Sequence, residues 1–197
     1  MNDYSEIKAL IEKFVPYGIK HVEKTGAILI GYAPFIAPEA WLNHLFPPLS
    51  PQQIYDLERS LNQPIPDEYK QFLMYFSNGL NVLNGKLSLF GLRNNYNRES
   101  IDDVRQPFDI LIPNLYERPF NATPEMLFIG SYSWDGSQLY ISKKGEVVFC
   151  SRDDAHPLKQ WDSLNHMLIS EIQRLYTLFD DSGKQLNKGL PTTPVFI

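Results

Sequence analysis

Residues 50–79 constrain this chain more tightly than any other stretch, because they specify two helices and the break between them. Ser50 can accept a bond from a free backbone N–H at the helix start, Pro51 suits the first helical position, and Gln53 completes a capping box. Ile54, Leu57 and Leu61 then form one apolar stripe. Asn62-Gln63-Pro64-Ile65-Pro66 ends that helix. A second runs from about Asp67 with Tyr69, Phe72, Leu73 and Phe76 facing inward, and Asn78-Gly79 suits a left-handed C-terminal cap. So short a break predicts an angled helical pair.

From Lys86 the pattern changes to short apolar runs bounded by turn residues. Leu87–Gly91, Ile110–Ile112, Leu127–Gly130, Gln138–Ser142 and Glu146–Cys150 read as strands. The last two are joined by Lys143-Lys144-Gly145, a three-residue hairpin loop with glycine where a positive φ is expected. Short links between consecutive strands predict an antiparallel sheet, since parallel strands need long crossovers. Asn94–Arg105 is polar and reads as a loop. A closing helix over about Ser163–Phe179 carries Leu164, Leu168, Ile172, Leu175 and Phe179 on one stripe. Before the helical pair, Tyr4–Phe14 reads as a helix, Ala27–Tyr32 as a strand, and Trp41, Leu42 and Leu45 as the shared face of a short helix stopped by Pro47-Pro48. The sum is an α+β fold, an antiparallel sheet with helices packed on it.

The residues Leu49-Ser50, Ile54, Leu57-Glu58, Leu61, Ile65-Pro66, Tyr69, Phe72-Leu73 and Asn78-Gly79 resemble the opening helical pair of the SUKH superfamily. Phe128-Ile129-Gly130, Asp135-Gly136, Leu139-Tyr140-Ile141 and Gly145-Glu146-Val147-Val148 resemble its later part, and the helix after Trp161 sits where that family keeps its last one. The resemblance divides the chain into an N-terminal extension over 1–45, a SUKH-like domain over 46–180 and a C-terminal tail over 181–197. The tail is polar until Val195-Phe196-Ile197, whose docking is left open. The first 45 residues read as an extra subdomain, a partner-specific addition or an elaboration of the same core. The superfamily includes a fungal regulator of cell-wall glucan synthesis and many bacterial immunity proteins. The resemblance therefore implies binding rather than catalysis: an antidote that binds and blocks a cognate toxin, often a nuclease, or a regulatory scaffold like the fungal relatives.

Composition narrows the classes around that reading. No apolar run approaches the roughly 20 residues a membrane-spanning helix needs. Asp3 and Glu6 stand where a secretory signal would be basic, so a cytoplasmic protein is expected. Cys150 is the only cysteine, which excludes an internal disulfide and a multi-cysteine zinc site. A net charge of -5 argues against direct nucleic-acid binding by phosphate neutralisation and suits a basic protein partner.

Two loops are candidates for partner binding. Tyr132, Trp134 and Asp135 lie in the turn after Phe128-Ile129-Gly130, where aromatics favour hot spots, although Trp134 capping the core is the plainer explanation. Asp153 and Asp154 follow the hairpin with His156; solvated charges explain them first, and with Cys150 they make no zinc pattern. There is no phosphate loop, His-Glu-x-x-His pattern or nucleophile elbow, so no catalytic residue, metal or cofactor is expected.

Overall fold

The computed structural model describes residues 3–194. Nine strands make one sheet: β1 Ile19–His21, β2 Ile28–Tyr32, β3 Trp41–Leu45, β4 Leu80–Val82, β5 Leu87–Leu89, β6 Leu127–Tyr132, β7 Gln138–Ile141, β8 Val147–Cys150 and β9 Lys159–Trp161. Each pairs antiparallel with the next in sequence, so the sheet is a plain meander. Among the described residues four α-helices accompany it: α1 Ser5–Glu12, α2 Pro51–Leu61, α3 Asp67–Tyr75 and α4 Leu164–Tyr176. The expected α+β fold is what the chain adopts.

Two neighbouring rows across the sheet define its faces. Ile28, Leu45, Leu80, Leu89, Gly130, Leu139 and Phe149 lie opposite one another in that order. Leu80, Leu89, Leu139 and Phe149 belong to the main core with Ile54, Leu57 and Leu61 of α2, Tyr69, Phe72 and Leu73 of α3, and Leu164, Leu168, Ile172 and Leu175 of α4. Gly130 interrupts the apolar row because a Cβ there would lie 2.5 Å from the Ser88 carbonyl oxygen. The next row is Leu29, His44, Asn81, Ser88, Ser131, Gln138 and Cys150. Successive side chains point to opposite faces. This second row, polar across its five central strands, therefore faces away from the helices.

The local signals act as the sequence requires. Ser50 Oγ accepts from Gln53 N at 3.3 Å while Gln53 Oε1 accepts from Ser50 N at 3.0 Å, closing the capping box. Gly145 has φ +88 in the β7–β8 hairpin. Ser163 Oγ accepts from His166 N at 3.1 Å and starts α4. Residues 3–45 join the same body: Ile7 and Ile11 enter the main core, Tyr176 Oη donates to the Leu10 carbonyl at 2.7 Å, and β1–β3 continue the sheet. The stretch after α4 folds back, with Arg174 Nη2 donating to the Thr192 carbonyl at 2.7 Å. Val195-Phe196-Ile197 lies outside the described residues.

Two expectations are corrected. Trp41–Leu45 is strand β3 rather than a helix. Pairing on both sides overrides the helical spacing of Trp41, Leu42 and Leu45, and Asn43, inside, donates to the Ile11 carbonyl and accepts from Leu83 N. Ile110–Ile112 is not a strand: one bridge joins Gly91 to Asp109, and Ile112–Tyr116 winds into a π-helical turn. Asn114 of that turn grips both backbone groups of Phe128, donating to its carbonyl at 2.8 Å and accepting from its N–H at 2.9 Å.

The Asn78-Gly79 pair also works differently from a simple cap, because α3 has already ended at Tyr75. The Asn78 side chain donates to the Leu92 carbonyl at 2.8 Å and accepts from its N–H at 2.7 Å, tying the exit of α3 to the chain beyond β5. Gly79, at φ +85, turns the backbone into β4, and a Cβ there would sit 2.8 Å from the Leu89 carbonyl oxygen. Gly79→Ala should therefore cost about 2 kcal/mol or more in urea unfolding, since the backbone clash adds to the left-handed penalty. Gly85→Ala is the comparison: its φ is +79, yet its Cβ would meet only Ser88 Oγ at 3.5 Å, so about 1 kcal/mol is expected. Equal losses at the two positions would show that the close approach at Gly79 is not felt.

Candidate functional site

The β6–β7 turn, residues 133–137, separates two cavities. One, about 530 Å³, opens on the helix-free face; Ser131 and Gln138 of the polar row line it with Phe108 and Ile112. Charges of both signs surround it: Asp109, Glu117 and Asp153 with Arg118 and Arg152. None of these five makes an ion pair among the described residues. Arg118 is spent on backbone, donating to the carbonyls of Asn114, Thr123 and Met126 while its guanidinium lies 5.4 Å from the Phe128 ring centre. Burial lowers its pKa. Asp109 accepts from Leu111 N at 3.0 Å and from the Tyr96 hydroxyl, a bond that raises the tyrosine's pKa. Gln138 Nε2 donates to the Arg152 carbonyl at 3.0 Å, whereas its buried Oε1 has no partner among the described residues. Phe108 lines the cavity, and the same segment of chain carries two further exposed aromatics, Tyr116 at 76% and Phe120 at 88%.

The second cavity, about 570 Å³, lies on the other side of that turn and holds Trp134, Phe35, Ile36, Lys86, Lys184 and Lys188 among its walls. The five candidate residues are thus dispersed. Tyr132 is fully buried and donates to Glu171 Oε2 at 2.9 Å, so it cannot contact a partner directly. Its phenol is held well above its ordinary range by burial and by the Glu171 carboxylate. Trp134, 43% exposed, faces the lysine-lined cavity. Asp135 accepts from Ser137 N at 2.9 Å and shapes the turn. Asp153 lines the first cavity.

Asp154 staples two loops together. Its Oδ1 accepts from Asn121 Nδ2 at 2.8 Å and from His156 N at 2.9 Å and lies 2.5 Å from His156 Nδ1; the backbone bond leads in holding its carboxyl below the usual range. Asn121 Oδ1 in turn accepts from Ala155 N at 2.9 Å. Cys150 is buried beside this loop, and burial, with Asp154 nearby, pushes its thiol up to about 12. Among the described residues no group of three or more His, Cys, Asp or Glu side chains is placed to hold a metal ion.

Sequence reasoning missed the exposed aromatics of residues 108–120 and the polar row. The aromatics were hidden because that segment was read partly as a strand. The row depends on register across six strand pairs, which no single segment reveals.

No described helix is long and apolar enough to cross a membrane. No curated protein and no solved structure matches the chain. Residues 48–170, from just before α2 to the middle of α4, match the model of the SMI1 / KNR4 family (SUKH-1). That is more than half of the chain, it spans the helical pair and the strands on which the resemblance rested, and this protein belongs to the SUKH-1 family.

Proposed function

We propose that this protein is a non-catalytic, cytoplasmic binding module that acts as an immunity protein, blocking a cognate toxin on the helix-free face. The observation that carries the reading is a cavity lined by Phe108 with Asp109, Glu117 and Asp153, in a segment that also exposes Tyr116 and Phe120. Large exposed aromatic side chains beside unpaired charges have the make-up of a binding hot spot. The carboxylates would meet basic side chains of the toxin. SUKH-1 membership is consistent with this role, since toxin-immunity proteins and regulators both belong to the family.

The test is co-expression with the toxin-type domain encoded beside its gene. Growth should be restored, and the purified pair should form a stoichiometric complex. Tyr116→Ala with Phe120→Ala should weaken that complex at least about tenfold, the equivalent of 1.4 kcal/mol, without changing the urea midpoint. Asp153→Lys should slow association more than it speeds dissociation, with a smaller difference at high salt. Rescue that is indifferent to both variants would move the binding surface elsewhere. Failure of rescue would end the immunity reading.

A further inference from the structure

We propose that the lysine-lined cavity around Trp134 is a second binding site, which receives an acidic amphipathic segment of a protein partner. Four separate pieces of chain build it: the β2–β3 connection with Phe35 and Ile36, the β4–β5 turn with Lys86, the β6–β7 turn with Trp134, and the stretch after α4 with Lys184 and Lys188. Two of the four lie outside the residues that match the family, so this chain's own flanks create the site. It does not rest on the immunity reading, because the cavity shares no lining residue with the one on the other side of the β6–β7 turn.

Charge points to the occupant. The protein carries a net charge of -5, yet among the described residues no carboxylate lines this cavity and three lysines do. None of the three makes an ion pair among the described residues. Lys184 Nζ instead lies 5.2 Å from the centre of the Phe35 ring. The apolar side chains Phe35, Ile36 and Trp134 are each exposed, and Leu186 and Leu190 stand exposed on the same tail. A bare anion would satisfy the ammonium groups and leave these surfaces wet. A segment that alternates carboxylates with apolar side chains would satisfy both. Lysines also suit carboxylates at varied spacing, because each is a compact charge on a flexible stem.

The lysine-bearing tail is fixed in place. Gly183 has φ +82, and a Cβ there would lie 2.4 Å from Leu42 Cδ1, so the backbone is pressed onto the core. Asp180 Oδ1 accepts from Ser182 N and Lys184 N at 2.9 and 3.0 Å, and Leu186 N donates to the Leu178 carbonyl at 2.9 Å. A wall that is already ordered loses little further freedom when a segment binds.

Trp134 provides the readout, because the other two tryptophans, Trp41 and Trp161, are only 8% and 3% exposed. The full chain is titrated with a synthetic peptide, Glu-Glu-Leu-Phe-Glu-Glu-Leu-Leu-Glu, while acrylamide quenching of tryptophan fluorescence is followed. The peptide should shield Trp134 saturably. The same peptide with glutamine for every glutamate should bind at least about tenfold more weakly. Lys184→Glu combined with Lys188→Glu should weaken the acidic peptide by a similar factor and leave the urea midpoint unchanged, since both side chains are exposed. Equal binding of the acidic and neutral peptides would overturn the proposal, as would no shielding at millimolar peptide. Shielding by inorganic phosphate or ATP but not by the peptide would also overturn it, in favour of a small-anion site. Toxin neutralisation by the double lysine variant reads the other surface, so the two proposals fail separately.

Discussion

Glu171→Ala should cost about 3 kcal/mol of folding stability, among the largest effects expected of a single side chain in this protein. Glu171 is fully buried on α4, and three groups converge on its carboxylate. Lys159 Nζ lies 3.0 Å from Oε1, while Arg174 and the Tyr132 hydroxyl reach Oε2 at 2.8 and 2.9 Å. Removing the carboxylate leaves the buried Tyr132 hydroxyl without an acceptor and two cations without their anion. Lys159 and Arg174 are partly exposed and can turn towards water, which keeps the loss near the lower end for a broken buried pair. Urea unfolding measures it. Glu171→Gln, which keeps an acceptor for Tyr132, should lose less. A loss under about 1 kcal/mol in Glu171→Ala would mean that the network adds little beyond packing.

Stability should also fall by roughly 3 kcal/mol between neutral pH and pH 4 through His44 alone. Burial, reinforced by the Arg105 guanidinium and opposed by a hydrogen bond with the Trp41 backbone, pushes the imidazole down from 6.5 to about 4. The unfolded chain therefore binds a proton between about 6.5 and 4 that the folded chain refuses. Stability is highest above 6.5, declines as pH falls through that window and levels off below about 4. Carboxylates titrate in the lower part of the same range, so the diagnostic quantity is the difference between the wild type and His44→Gln. That difference should shrink in favour of the variant as pH drops. Parallel pH profiles for the two proteins would show that His44 takes up its proton in the fold as readily as in the unfolded chain.

His44 also shows where sequence reasoning stopped. The pair α2 and α3, the β7–β8 hairpin and the start of α4 were legible because each is specified within a few residues: Ser50 with Gln53, Gly145, and Ser163. β3 was misread because Trp41, Leu42 and Leu45 also fit a helical face, and only β2 and β4 on either side decide between the two. Ile110–Ile112 was misread because apolar residues beside Pro113 also suit a tight turn, which Asn114 fixes by gripping Phe128. At the candidate site, the register shift in β6 between Phe128 and Gly130 breaks the alternation, so Tyr132 joins Leu127 and Ile129 in the core and Ser131 is left on the open face. The surroundings of Trp134 come from residues 35–36 and 183–188, far away in sequence, and no local pattern announces that meeting.

The meander has a consequence for synthesis. Every strand pairs with the one made just before it, and except at β3–β4 and β5–β6 the loop closed is short, so the sheet can lengthen as the chain leaves the ribosome. The first helix is the exception: the hydroxyl of Tyr176 on the last helix donates to Leu10, 166 residues earlier. α1 meets β3 earlier, through Asn43 and the Ile11 carbonyl, but its packing against α4 must wait for that helix. Its apolar stripe is only partly covered until then, and a nascent chain stalled before α4 should be cut by protease near α1 more readily than the finished protein is.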